Sequence, residues 1–263
     1  METIGRYRSG KEKEKPEMTD STPNQIHRAS SGRTYKGVPV HAAPGLHESV
    51  IEKINASDVS GKKVLELGCG SGALTLRLSD NDFQVRAVDL TLDGFQPQAE
   101  SLAMDLNTNF SETLGEREYD LIVAVELLEH LENPHHFLRQ VASMMSSDTR
   151  LWLSFPNLHL YLSTWKFLAD TSFISWNVQQ YWETGHQTVL PGWLFEQHLK
   201  KAGLVMEEKF FVAPVDLKEA HPNPVKRLIS RAVLALIRMV TPNVTQSQRL
   251  ANCVLYKVRL AES

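Results

Sequence analysis

The sequence predicts an α/β fold built on a doubly wound, mostly parallel sheet, and three stretches carry that prediction. Val64-Leu65-Glu66-Leu67 is a short apolar strand that breaks into Gly68-Cys69-Gly70-Ser71-Gly72 and resumes as a helix over residues 73–78. Residues 83–89 and 119–125 are two further apolar runs of strand length. Strands separated by crossover segments in this way read as the units of a parallel sheet.

The first stretch organises the rest. Glycines at 68, 70 and 72 remove the Cβ atoms that would hold a ligand away from the backbone. The spacing is G-x-G-x-G, not the G-x-G-x-x-G of nicotinamide and flavin enzymes. Glu66 lies near the end of the strand, inside the motif. A carboxylate there repels a pyrophosphate and favours a cationic ligand.

At 263 residues with 42% hydrophobic content, the chain suits one α/β domain with decorations. A net charge of -3 gives no basic field, so no nucleic-acid partner is expected. Two cysteines, Cys69 and Cys253, fit a reducing compartment rather than a disulfide framework, and no metal-ligand spacing is visible. The N-terminal stretch lacks the apolar run of a secretory signal, and no stretch has the ~20 apolar residues of a spanning helix. A cytoplasmic location is expected, with peripheral contact at the inner face of the membrane as an added option.

Taken in order, residues 1–34 form a polar tail too poor in apolar residues to order itself, and residues 35–263 form the domain. Residues 46–54 have helical spacing. Residues 83–89 end on Asp89, ~20 residues beyond the glycines, where an acid of a doubly wound fold accepts from ribose hydroxyls. The next crossover, residues 91–100, carries Gly94 and Pro97 and is too broken for a full helix. Residues 101–107 then read as a short strand ending in an acid, Asp105, with Met104 beside it. The run 119–125 leads into Glu126-Leu127-Leu128-Glu129-His130 at its C-terminal end, where open α/β sheets bind ligands. Residues 136–145 are an amphipathic helix and 150–157 a fifth strand. Over residues 158–190 aromatic residues crowd into what should be a connection: Tyr161, Trp165, Phe167, Phe173, Trp176, Tyr181 and Trp182. That is a lid over an acceptor pocket, or an accessory helix covering a core edge. A helix follows over 190–203, and residues 204–212 and 252–258 are the last two strands.

The insertion between those strands, 215–248, contains an amphipathic helix over 225–240. Arg227, Arg231 and Arg238 share one face, Lys226 adds a fourth cation, and no acid offsets them. This pattern suits a helix on an anionic bilayer, and equally one packed on its own domain or on a second subunit.

Glu66-Leu-Gly-Cys-Gly-Ser-Gly72 resembles the first motif of class I S-adenosylmethionine-dependent methyltransferases. The string from Val125 to Pro134 resembles the post-strand motif of their small-molecule branch, shared by ubiquinone-biosynthesis O-methyltransferases and polysaccharide-associated methyltransferases. The resemblance implies a Rossmann-like sheet of seven strands with an antiparallel last strand and helical lid insertions. It also implies S-adenosyl-L-methionine as cofactor, held by Glu66, Gly68, Cys69, Gly70, Gly72, Asp89, Leu90, Met104, Asp105 and Glu126. In the family, the strand acid orients the amino end of the cofactor, and an acid in the position of Asp105 bonds the adenine amino group. The Asn/Asp-Pro-Pro-aromatic motif of exocyclic-amine DNA methylation is absent.

Methyl transfer to a hydroxyl needs alignment, a dry site and a base within reach. His130 and His186 are the candidates, one beside the cofactor and one at the end of the lid. The expected activity is methylation, at oxygen, of a small or lipid-linked acceptor. The alternatives are a catalytically silent cofactor-binding scaffold, which the degenerate crossover at 91–100 keeps open, and a nicotinamide enzyme, which Glu66 and the glycine spacing oppose.

Overall fold

A computed structural model describes residues 32–57, 59, 61–114, 119–220 and 222–262. The polar tail expected over 1–34 therefore lies outside the described residues, except for its last three. Of those, Arg33 donates to the Ala42 carbonyl and Thr34 opens a small hairpin, β1 (Thr34–Tyr35) with β2 (Val38–Pro39).

The core elements follow as α1 (Leu46–Asn55), β3 (Lys63–Leu67), α2 (Ala73–Ser79), β4 (Gln84–Asp89), β5 (Glu100–Ala103), α3 (Phe110–Leu114) and β6 (Leu121–Val125). After a 3-10 turn at Leu128–His130 come α4 (Pro134–Ser143) and β7 (Arg150–Pro156), then α5 (Tyr161–Asp170) and α6 (Val178–Thr184). The chain closes with α7 (Gly192–Lys201), β8 (Leu204–Pro214), α8 (Leu217–Ala220), α9 (Pro224–Val240), α10 (Gln246–Leu250) and β9 (Ala251–Leu260).

The seven-stranded sheet has the order β5-β4-β3-β6-β7-β9-β8. The five strands from β5 to β7 run parallel, and β9 is antiparallel to both its neighbours. The order reverses between β3 and β6, which opens a crevice outside the carboxyl ends of those strands. Side chains alternate across the sheet. Leu65 and Leu67 join one core with Phe110, Phe137 and Phe195, whereas Val64 joins the other with Val50, Leu74 and Leu78. Glu66 shares the face of Val64, so the same alternation aims its carboxylate beneath α2.

The β4–β5 crossover contains no helix, as its glycine and proline forecast. It lies instead across the start of α2, where the Gln96 N–H donates to the Ser71 carbonyl at 3.2 Å. A Cβ on Gly72 would sit 2.3 Å from Pro97 Cδ and 2.9 Å from Phe95 Cε2. Gly72 is glycine because this strap crosses there.

A small third core of Leu160, Tyr161 and Ile237 ties α5 to α9. Pro224 occupies the first turn of α9, and Asn223 Oδ1 caps it by accepting from the Val225 N–H at 2.8 Å and the Lys226 N–H at 3.3 Å. Among the described residues, no helix is long and apolar enough to cross a membrane.

Candidate active site

The switch-point crevice holds a cavity of about 210 Å³, with walls from every element that ends there. Gly68 to Ser71 come from the turn after β3, Asp89 and Leu90 from the end of β4, Asp105 to Asn107 from the loop after β5, and Val125 to Leu127 from the end of β6. His130 and His186 stand at one side, and the N-terminal segment adds Pro39, His41, Ala42 and His47.

Glu66 is buried on the cavity floor, where Thr75 Oγ1 donates to its Oε2 at 2.5 Å. Burial pushes its carboxyl up to about 8; the Thr75 hydrogen bond opposes the rise and the nearby Asp89 adds to it. Asp89 fastens the glycine turn to β4: Oδ2 accepts from the Gly70 N–H at 2.7 Å and Oδ1 from the Leu90 N–H at 2.8 Å. Gly68 and Gly70 both have positive φ, 83° and 57°. A Cβ on Gly68 would come 3.0 Å from Leu127 Cδ1, so the backbone lies bare against the cavity.

A second cluster of ionisable groups follows β6. Glu126 has φ 52°, a conformation non-glycine residues rarely adopt, and its N–H points at the Ser154 carbonyl and hydroxyl oxygens, both at 3.2 Å. Burial lifts its carboxyl to about 7, against a hydrogen bond from Cys253. Glu129 is wholly buried, and neither side-chain oxygen has a hydrogen-bond partner among the described residues. Burial and the neighbouring Glu126 hold its carboxyl well above the usual range.

Backbone hydrogen bonds bring the end of the 158–190 insertion to this cluster. The Gln187 and Thr188 N–H groups donate to the Glu129 carbonyl at 2.9 and 3.0 Å, and Gln187 Nε2 donates to the His130 carbonyl at 2.6 Å. That fastening sets the His186 ring edge-on to His130, with centroids 4.7 Å apart. His186 Nδ1 lies 2.7 Å from the Ser175 carbonyl, which can only accept, so Nδ1 carries the proton and Nε2 keeps its lone pair. Burial lowers the His186 pKa, partly offset by that carbonyl. The ligand atoms of Glu129, His130 and His186 lie within 4.8 Å of one another, a grouping able to hold a metal ion.

Most residues singled out in the sequence converge here, and two do not. Gly72 is the left-handed N-cap of α2 and faces the 91–99 strap, outside the cavity wall. Met104 packs against the sheet core, because β5 ends at Ala103 and the chain turns before Asp105. The aromatic insertion lends the cavity only Thr184 and His186. Trp176 is buried and donates from Nε1 to the Thr188 carbonyl, whereas Trp165, Phe167, Tyr181 and Trp182 are exposed. Sequence reasoning passed over Glu129. Its signal was a second carboxylate three residues after Glu126, just past an apolar strand.

The strand order, the glycine turn and the acids at the ends of β3, β4 and the β5 loop define the class I methyltransferase architecture. A profile described as a methyltransferase domain matches residues 41–209. The chain belongs to that methyltransferase family, and S-adenosyl-L-methionine is its cofactor. It is 25% identical over 162 residues to the ubiquinone biosynthesis O-methyltransferase of Burkholderia ambifaria (strain MC40-6), covering 57% of this chain and 69% of that one. Its fold is like that of a SAM dependent methyltransferase from Archaeoglobus fulgidus (TM-score 0.54, 16% identity, 81% of this chain and 94% of the other). Magnesium protoporphyrin IX methyltransferase from Synechocystis PCC 6803, solved with bound SAH, is similar at TM-score 0.51, with 15% identity and 82% of each chain covered.

The cavity suits this cofactor on its own evidence. Glu66 is a buried acid aimed where a cation would restore its charge, bare glycine backbone lines one wall, and Leu90, Leu106 and Leu127 supply apolar surface.

Proposed function

We propose that the protein methylates a hydroxyl oxygen of a small or lipid-linked acceptor, with His186 as the base. The observation that carries this reading is the fixed His186 tautomer, which leaves the Nε2 lone pair free on a ring that stands edge-on to His130 at the cavity wall. The name of the Burkholderia relative supports oxygen as the accepting atom.

S-adenosyl-L-methionine supplies an electrophilic methyl group on a sulfonium. Glu66 and the Gly68–Gly70 backbone would hold its amino-acid end, with Cys69 and Glu126 on the surrounding wall. Asp89 would accept from the ribose hydroxyls and Asp105 from the adenine amino group, with Leu90 on the cavity wall between them. His186 Nε2 would take the proton of the acceptor hydroxyl as that oxygen accepts the methyl group. His130 buttresses the His186 ring. Two buried acids, Glu126 and Glu129, adjoin this side of the cavity, and their burial favours the neutral carboxyl in both.

The test is turnover by His186→Ala, with catechol-type quinone precursors and lipid-linked sugars as acceptors. Turnover lost while cofactor affinity is kept supports the base; turnover unchanged refutes it. The catalytically silent scaffold is not favoured by the family match.

A second reading is favoured by the two unpartnered oxygens of Glu129. With His130 and His186, Glu129 would seat a divalent cation that acidifies the acceptor hydroxyl directly. Turnover abolished by EDTA and restored by magnesium or zinc selects this reading; turnover indifferent to EDTA selects the base.

A further inference from the structure

The α9 helix has two apolar faces, and the fold uses only one. At 100° per residue, Ser230, Val233, Leu234 and Ile237 form the inner face, which packs on α5. Tyr161 Oη and Ser230 Oγ share a hydrogen bond of 2.5 Å there. The opposite arc, about 120° wide, carries Val225, Leu228, Ile229, Leu236, Met239 and Val240, all exposed; Leu228 is 68% accessible and Met239 72%. Packing on its own domain therefore accounts for the inner face alone.

The charges on α9 are ordered as well. Arg227, Arg231 and Arg238 fall within about 40° of one another, between the inner face and the exposed arc, and Lys226, exposed in the first turn, falls in the angular range of the inner face. No acidic residue occurs in the helix, and none of the four cations makes an ion pair among the described residues. The α5 helix, packed directly on α9, exposes Trp165, Phe167 and Leu168.

We infer that α9 docks the protein on an anionic phospholipid surface. The helix lies in the plane of the interface, its outer arc among the first acyl carbons and its arginines at the level of the phosphates. The row of uncompensated cations decides between occupants: a second copy would bring the same row against itself, whereas phosphate headgroups neutralise it. Exposed tryptophan on the adjoining helix suits the same depth. Because α5 and α6 continue into His186, docking would set the mouth of the active site near the membrane. Vesicle binding is scored without acceptor or cofactor, so its failure and the failure of the proposed O-methylation are separate results.

The experiment is co-sedimentation of the full chain with phosphatidylglycerol-containing vesicles and with phosphatidylcholine vesicles. The wild type should partition onto the anionic vesicles and be released by high salt. Substituting Arg227→Gln, Arg231→Gln and Arg238→Gln together should weaken partitioning on the order of a hundredfold, from roughly fivefold per cation. Leu228→Ser with Met239→Ser should also weaken it, while thermal melting shows that both variants remain folded. No binding to anionic vesicles, or equal binding to both kinds, overturns the inference. So does a concentration-dependent dimer that Leu228→Ser with Met239→Ser dissolves, since a second copy would then cover the arc.

Discussion

Glu66→Gln should separate what the fold tolerates from what the cofactor requires. In the free protein the Glu66 carboxyl titrates at about 8 instead of 4.5, so at neutral pH about nine-tenths of the molecules hold it neutral. A cation in the cavity favours the carboxylate, so binding S-adenosyl-L-methionine releases close to one proton per site. Affinity should therefore rise about tenfold per pH unit from about pH 6 to about pH 8, then level off. Glutamine cannot ionise, so the variant should lack that slope and bind more weakly by about 1–3 kcal/mol above pH 8. The two curves should converge as the pH falls.

Calorimetric titration in two buffers of different ionisation enthalpy reads the proton directly, and subtracting the variant removes the cofactor's own titrating groups. Stability should move the other way. A carboxyl whose pKa is raised on folding stabilises fully below about 4.5, and that contribution is lost as pH rises through about 8. Ligand-free Glu66→Gln should thus be more stable than wild type at neutral pH by up to about 3 kcal/mol in denaturant unfolding. Equal pH slopes for binding by the two proteins would refute the reasoning, whatever the affinities.

Three further outcomes follow from the geometry. Gly72→Ala places a methyl group against Pro97 in a backbone with φ 90°, and should cost at least about 2 kcal/mol in thermal or denaturant unfolding. His186→Ala should lower turnover by about 10²–10⁴-fold while cofactor affinity, measured by calorimetry, stays within about twofold. Asp89→Asn removes one of two oxygens that accept from backbone N–H groups, and should weaken cofactor binding by about 1–3 kcal/mol.

The parallel core of the sheet was legible because its strands are short, apolar and bounded by glycine or charge, and because buried strands leave little else to read. Glu66 and Asp89 were legible for a related reason: an acid at the end of such a strand has no place in the core and must face the crevice. The packing of Gly72 against Pro97 could not be read, because Pro97 arrives through tertiary packing that motif spacing does not encode. The packing of Met104 on the core was hidden because β5, an edge strand, stops at Ala103. On α9 the pattern displayed every apolar residue but could not say which arc would be covered. Glu129 went unassigned since its isolation depends on what fails to approach it in space.

The hydrogen bonds from residues 187 and 188 to residues 129 and 130 make a latch whose release has two effects at once. Any movement of the insertion away from the crevice would part Gln187 and Thr188 from the Glu129 carbonyl. His186 rides on the same segment and leaves with it. If His186 is the base proposed above, an opening of the insertion would also withdraw that base from the crevice, and closing would restore it.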